Sequence, residues 1–151
     1  MNIIVDPLTS SQVATLLNEH LAGMADHSPP ESIHALSLEK LKAPDITFFT
    51  AWNGDDLLGC GALKELDERQ GEIKSMRTAR PFLGSGVATA ILEHIIAVAQ
   101  SRGYARLSLE TGSGPAFEPA HSLYRKYGFE YCGPFGDYRE DSFSRFMTRT
   151  L

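Results

Sequence analysis

A chain of 151 residues is the size of one ordinary domain, and 42% apolar with 22% charged residues is a globular composition rather than a disordered one. Fourteen basic against nineteen acidic side chains leave a formal charge of −5, which argues against a sequence-independent nucleic-acid binder but permits a local basic pocket. No stretch reaches the roughly 18 apolar residues of a membrane span, and two cysteines with five histidines in no HxxxH or HExxH pattern suggest neither a disulfide framework nor a metal site.

Asn2 to Val5 reads as a short strand stopped by Asp6-Pro7. This start has no cationic segment, so no signal peptide is expected, and the predicted setting is a cytoplasmic domain. Thr9 or Ser10 caps a helix on which Val13, Leu16, Leu17 and Leu21 recur at helical spacing, and Asp26 to Pro30 ends it. Glu31 to Leu41 is predicted as a second helix from Ile33, Leu36, Leu38 and Leu41. The period then changes. Ile46 to Trp52, Leu57 to Leu66 and Gly71 to Thr78 read as three strands of an antiparallel meander, with Asn53-Gly54 as a hairpin turn. Between Arg80 and Gly103 lies a long amphipathic helix with Val87, Ile91 and Ile95 on one stripe and Gly103 as its cap. Ala105 to Thr111 is a strand with Leu107 and Leu109 on one face, Ala116 to Tyr127 a helix, and Phe129 to Cys132 and Phe143 to Thr150 two closing strands. The expected fold is one α/β domain over residues 1–151, with a mixed central sheet, antiparallel first and with a parallel crossover around the long helix.

Leu83-Gly84-Ser85-Gly86-Val87-Ala88 sits between a strand and that helix. Glycines here let a ligand approach the backbone, and the unpaired amides and dipole of the helix start suit a phosphate or pyrophosphate. No GxxxxGK[ST] is present, and GxGxxG fails because Thr89 lies three residues after Gly86. A Rossmann-type nucleotide module is therefore a poor fit.

Taken together, Gly71-Glu72-Ile73-Lys74-Ser75-Met76-Arg77-Thr78, the Leu83 to Ala88 turn and Leu123-Tyr124-Arg125-Lys126-Tyr127-Gly128-Phe129 resemble the GCN5-related N-acetyltransferase superfamily. The first matches the family's central strand, the second its R/Q-x-x-G-x-G/A turn at Gly86 and Ala88, and the third its L-Y-x-K-x-G-F helix end. Leu83 replaces the family's Arg or Gln, and Phe117 stands where an Asn is often seen.

The resemblance implies acetyl-CoA as donor and a primary amine of a small molecule, peptide or protein as acceptor, with no metal. It implies that pantetheine runs along Met76 to Thr78 and that the pyrophosphate rests on the amides of Leu83, Gly84, Ser85, Gly86, Val87 and Ala88. Glu72 is then the first candidate for accepting the amine proton through water, with Glu110 second. The Met76 N–H is the candidate oxyanion donor, and Tyr124 the acid that protonates the departing thiolate. Glu72 has an alternative as a strand carboxylate paired with Lys74 or Arg77. Arg77, Arg80, Arg125 and Lys126 are minor candidates for the 3′-phosphate, and His34 for the acceptor pocket. A homodimer through the C-terminal strands is expected by resemblance alone. The alternative function is a catalytically weak CoA sensor or interaction module of the same fold.

Overall fold

The computed structural model describes all 151 residues. Strands β1 (Asn2–Val5), β2 (Ile46–Asn53), β3 (Asp56–Asp67), β4 (Gln70–Thr78), β5 (Arg106–Thr111), β6 (Glu130–Cys132) and β7 (Arg145–Thr150) form one sheet in the order β1-β2-β3-β4-β5-β7-β6. All neighbours are antiparallel except β4 and β5, which run parallel because the long helix α3 (Val87–Ser101) carries the chain back across the sheet.

Helices cover both faces. On one, Ile91, Leu92, Ile95 and Ala99 of α3 pack on Leu63, Ile73, Leu107 and Leu109. On the other, Val13, Leu16 and Leu17 of α1 (Ser11–His27) meet Phe48, Leu57, Cys60 and Ala62. Sandwiched between, Leu57 to Leu63 of β3 is buried without interruption, as a strand covered on both faces must be. Each fully buried Leu or Ile contributes about 1.5–3 kcal/mol relative to exposure, so the two apolar layers hold the helices in place. Gly61 sets the spacing of α3: a β-carbon there would lie 2.6 Å from Met76 Sδ and 2.8 Å from Ile91 Cγ2.

The predicted helix over Glu31 to Leu41 is not formed as such. Pro30–Ser32 is a single 3₁₀ turn, Ile33 to Ser37 is irregular, and only Leu38–Leu41 is helical (α2). The Ser37 hydroxyl accepts from the Lys40 amide and so starts the helix late, leaving His34 free to turn its ring edge-on to Tyr138. Two further boundaries move. Pro115–Phe117 is a 3₁₀ turn ahead of α4 (Glu118–Lys126), and the last strand begins at Arg145 rather than Phe143. There the Asp141 carboxylate accepts from both the Phe143 and Ser144 amides, which removes them from any ladder. No helix is long and apolar enough to cross a membrane.

Candidate active site

Parallel pairing of β4 with β5 runs from Gln70↔Arg106 to Ile73↔Leu109 and stops, although β4 continues to Thr78 and β5 to Thr111. At the same level β3 and β4 slip register between Cys60 and Ala62, so that β4 carries one extra residue, and Ser75 takes φ +54°. A left-handed conformation costs a non-glycine residue about 1–2 kcal/mol. That strain lies at a cavity wall, where it aims the backbone into the gap between the parted strands. Two hollows meet in the gap, sharing Met76, Ala120 and Tyr124.

The first is a groove along Met76, Arg77 and Thr78 that ends at Leu83 and Ala88, the flanks of the glycine turn. Gly84 and Gly86 adopt φ +76° and +83°, a region L-residues rarely enter. None of the amides from Gly84 through Thr89 donates to a protein backbone acceptor; the helical bonding begins with Ala90 N–H to Gly86 O at 3.0 Å. Gly86 supplies no side-chain cap, while Val87 is buried and anchors the turn to the core. The result is a row of N–H groups without backbone acceptors at the positive end of a helix of 15 residues. Leu83 is 65% exposed and contributes only backbone and apolar surface.

The second hollow lies between β4, β5, α1 and α4 and has a volume of about 120 Å³. Glu72 lies in its wall but is engaged: its Oε2 accepts from the Tyr138 hydroxyl and from Lys74 Nζ at 3.2 Å, with only 3% of the side chain exposed. Lys74 Nζ also donates to the Tyr138 oxygen at 2.8 Å. Burial, followed by the Glu72 charge, raises the Tyr138 phenol far above its ordinary value, so it stays a donor.

Glu110 is different. Its buried Oε2 has no partner, and burial pushes its carboxyl up to about 7, against the downward pull of the Ser144 hydroxyl and the Lys74 charge. Tyr124, from α4, is 6% exposed, and its hydroxyl makes no hydrogen bond within the protein. Burial raises its phenol as well, so it holds its proton across the neutral range. Its ring meets Phe129 edge-on at 5.7 Å, which fixes its position.

The fold therefore brings Glu72, Met76, Glu110 and Tyr124 to one cavity, and Met76, Thr78, Leu83, Ala88 and Tyr124 to the adjoining groove. Arg125 and Lys126 are exposed at the end of α4. His121 is buried in a structural network, with Nδ1 at 3.0 Å from Tyr131 Oη and Nε2 at 2.9 Å from Gly112 O. Cys60 donates to Ser75 O, and burial pushes its thiol up to about 12, which leaves it inert as a nucleophile. Phe117 lines the cavity and stacks edge-on with Phe143. Sequence reasoning missed Tyr138 and Ser75 as cavity residues. No local pattern marks Tyr138, because it reaches β4 from a loop more than sixty positions away. The strained backbone at Ser75 has no signature in residue type.

A family profile described as "Acetyltransferase (GNAT) family" matches residues 12–129. The chain is 62% identical over 151 residues to the uncharacterized N-acetyltransferase YsnE of Bacillus subtilis (strain 168), covering 100% of both chains. It is 52% identical to the uncharacterized N-acetyltransferase YedL of Escherichia coli (strain K12), covering 99% of this chain and 94% of that one. Among solved structures, a GNAT family acetyltransferase from Elizabethkingia anophelis with acetyl-CoA bound superposes with a TM-score of 0.72, at 20% identity and over 99% and 97% of the two chains. The chain belongs to the GNAT acetyltransferase family.

Proposed function

We propose that the protein transfers the acetyl group of acetyl-CoA directly to a primary amine of a small molecule, peptide or protein, without an acyl-enzyme intermediate. The observation that carries this reading is the row of unpartnered amides from Gly84 through Thr89, connected through the β4 groove to a cavity holding an unpaired carboxyl and an unpaired phenol. Acetyl-CoA supplies a thioester whose carbonyl carbon accepts the amine nitrogen. The amides of Gly84, Ser85, Gly86, Val87 and Ala88 bind its pyrophosphate, and the main chain of Met76 to Thr78 bonds the pantetheine as an added strand does. That recognition needs no particular side chain, so Leu83 in place of a polar residue is tolerated.

In the cavity the amine passes its proton to Glu110. A carboxyl with its midpoint near 7 is substantially ionised at neutral pH and still basic enough to take a proton, which suits a general base. Glu72 is less suited, since its oxygen is already taken by Lys74 and Tyr138; it positions those two groups. As the N–C bond forms, the Met76 N–H meets the developing oxyanion. The C–S bond then breaks, and the sulfur takes the proton held by Tyr124, which regains one from solvent as Glu110 releases to solvent the one it took. The free thiols of Cys60 and Cys132 suit a reducing, cytoplasmic setting.

Titration calorimetry with coenzyme A, followed by thiol release from acetyl-CoA in the presence of amines, tests the proposal. Binding together with amine-dependent release is the expected result. Well-folded protein with no measurable affinity for coenzyme A overturns it.

A further inference from the structure

Ser144 stands immediately before β7, on the face of the sheet that carries Glu110. Glu110 opposes Phe146 in the β5–β7 pairing. Residues two apart on a strand share a face, so Ser144 lies diagonally across from Glu110 where the strand direction is carried back from Phe146. The residue is 3% exposed, and its Oγ is buried without a hydrogen-bond partner, as is Glu110 Oε2. Buried polar atoms are nearly always bonded, so two orphans beside each other call for a reason. Ser144 is not in the wall of the acceptor cavity. With Asp141 it lines an outer hollow of about 600 Å³, so it backs Glu110 rather than meeting a substrate.

A second carboxyl flanks the same hydroxyl. Asp141 Oδ1 accepts from the Ser144 amide at 2.7 Å and from the Phe143 amide at 2.8 Å, which pins residue 144 in place. The Ser144 amide holds Asp141 below the usual carboxylate range against burial, and the Ser144 and Ser32 hydroxyls act in the same direction. At Glu110, where burial dominates, the Ser144 hydroxyl is the strongest group drawing the carboxyl back down, ahead of the Lys74 charge. One hydroxyl thus acts on two carboxyls and has a single proton to donate.

The other titratable groups facing Glu110 leave this place to Ser144. From β4, Glu72 and Lys74 pair with each other. Tyr124 of α4 and Tyr138 of the β6–β7 loop keep their protons, because burial raises both phenols. Burial, helped by the Arg77 charge, lowers His20 of α1 to about 4, so it is neutral near pH 7. His34 completes the set, and none of these groups bonds Glu110 Oε2.

We propose that Ser144 is the positioning residue of the general base: its hydroxyl turns to Glu110 Oε2 when that carboxyl is ionised and to Asp141 when it is protonated. Donation to the ionised form aims the carboxylate oxygen and favours loss of the proton. When the amine's proton arrives on Glu110, the hydroxyl swings to Asp141 and returns once that proton has left. This inference rests on the acetyl-transfer reading, in which Glu110 takes the amine proton.

The test follows thiol release against pH, and thermal unfolding at pH 4 and pH 9, in the unaltered protein, Ser144→Ala, Glu110→Gln and the double variant. In Ser144→Ala the inflection near 7 is expected to move up by about one pH unit, the weight of one hydrogen bond to a charged group. kcat/KM then falls about fivefold at pH 7 and returns to within about twofold at pH 9, since both carboxyls are ionised there. The Tm gap between Ser144→Ala and the unaltered protein widens by about 2–4 °C from pH 4 to pH 9, and does not widen in the Glu110→Gln background. A merely structural hydroxyl shifts Tm alike at both pH values and in both backgrounds. An inflection that stays near 7 in Ser144→Ala, or a gap that fails to widen or widens equally without Glu110, overturns the assignment. An inflection that persists in Glu110→Gln, or no thiol release with any amine, overturns instead the reading of Glu110 as the base and this role with it; the unfolding cycle then still reports whether the two side chains interact.

Discussion

The two hollows that meet at Tyr124 are built on opposite principles. The groove is made of main chain: amides at Gly84 to Thr89 without backbone acceptors, a bare strand edge, and Leu83 where a polar side chain is usual. The cavity is made of side chains drawn from distant elements, with Glu72, Lys74 and Tyr138 locked together and Glu110 left unpaired. Backbone recognition suits a partner that never changes, because it is indifferent to sequence drift. Recognition by side chains suits a partner that differs from one family member to the next.

The contrast is tested hardest at Glu110. Glu110→Gln is expected to lower kcat/KM by about 10²–10³-fold, within the range of a lost general base. In the unaltered enzyme kcat/KM rises with pH through about 7 and then levels, since only the ionised carboxylate accepts a proton. The variant loses this inflection. An inflection that survives in Glu110→Gln and vanishes in Glu72→Gln assigns the base to Glu72 instead.

The same shift has a stability consequence of opposite sign. The folded protein holds the Glu110 proton up to about 7, whereas an unfolded chain releases it near 4.5. Stability therefore falls as pH rises between those values. Glu110→Gln is expected to gain on the order of 2 kcal/mol over the unaltered protein at pH 8 and little at pH 4, read by thermal unfolding.

Glu72→Gln separates the paired carboxylate from the free one. It leaves Lys74 buried without its counter-charge, at a cost of about 3 kcal/mol. A fall in Tm of roughly 5–10 °C is expected, at a few degrees per kcal/mol for a chain of this size. Tyr124→Phe is smaller again. It removes a hydroxyl that bonds nothing in the free protein, so Tm is unchanged while kcat falls about 10–10²-fold.

The mildest effects belong to the groove. Gly86→Ala meets no steric neighbour, yet it forces a β-carbon into φ +83°. The expected loss is about tenfold in coenzyme A affinity by calorimetry, from the 1–2 kcal/mol left-handed penalty. Gly86→Asn loses less, because Asn tolerates that region, and Ser85→Ala loses nothing. A large effect at Ser85 would break the claim that this half of the site is main chain.

What the sequence alone determined follows from that division. The succession of strands along the chain, the long helix, the glycine turn and the Tyr124 helix end are local: each depends on periodicity, β-branching or a left-handed glycine, which neighbouring residues display. The turn was legible because its chemistry is its backbone conformation. Tertiary structure decided the rest. Whether Glu72 or Glu110 carries the free carboxylate depends on Tyr138 arriving from the β6–β7 loop. Ionisation and pairing are set by burial and by residues far away in the chain, and no local pattern encodes either.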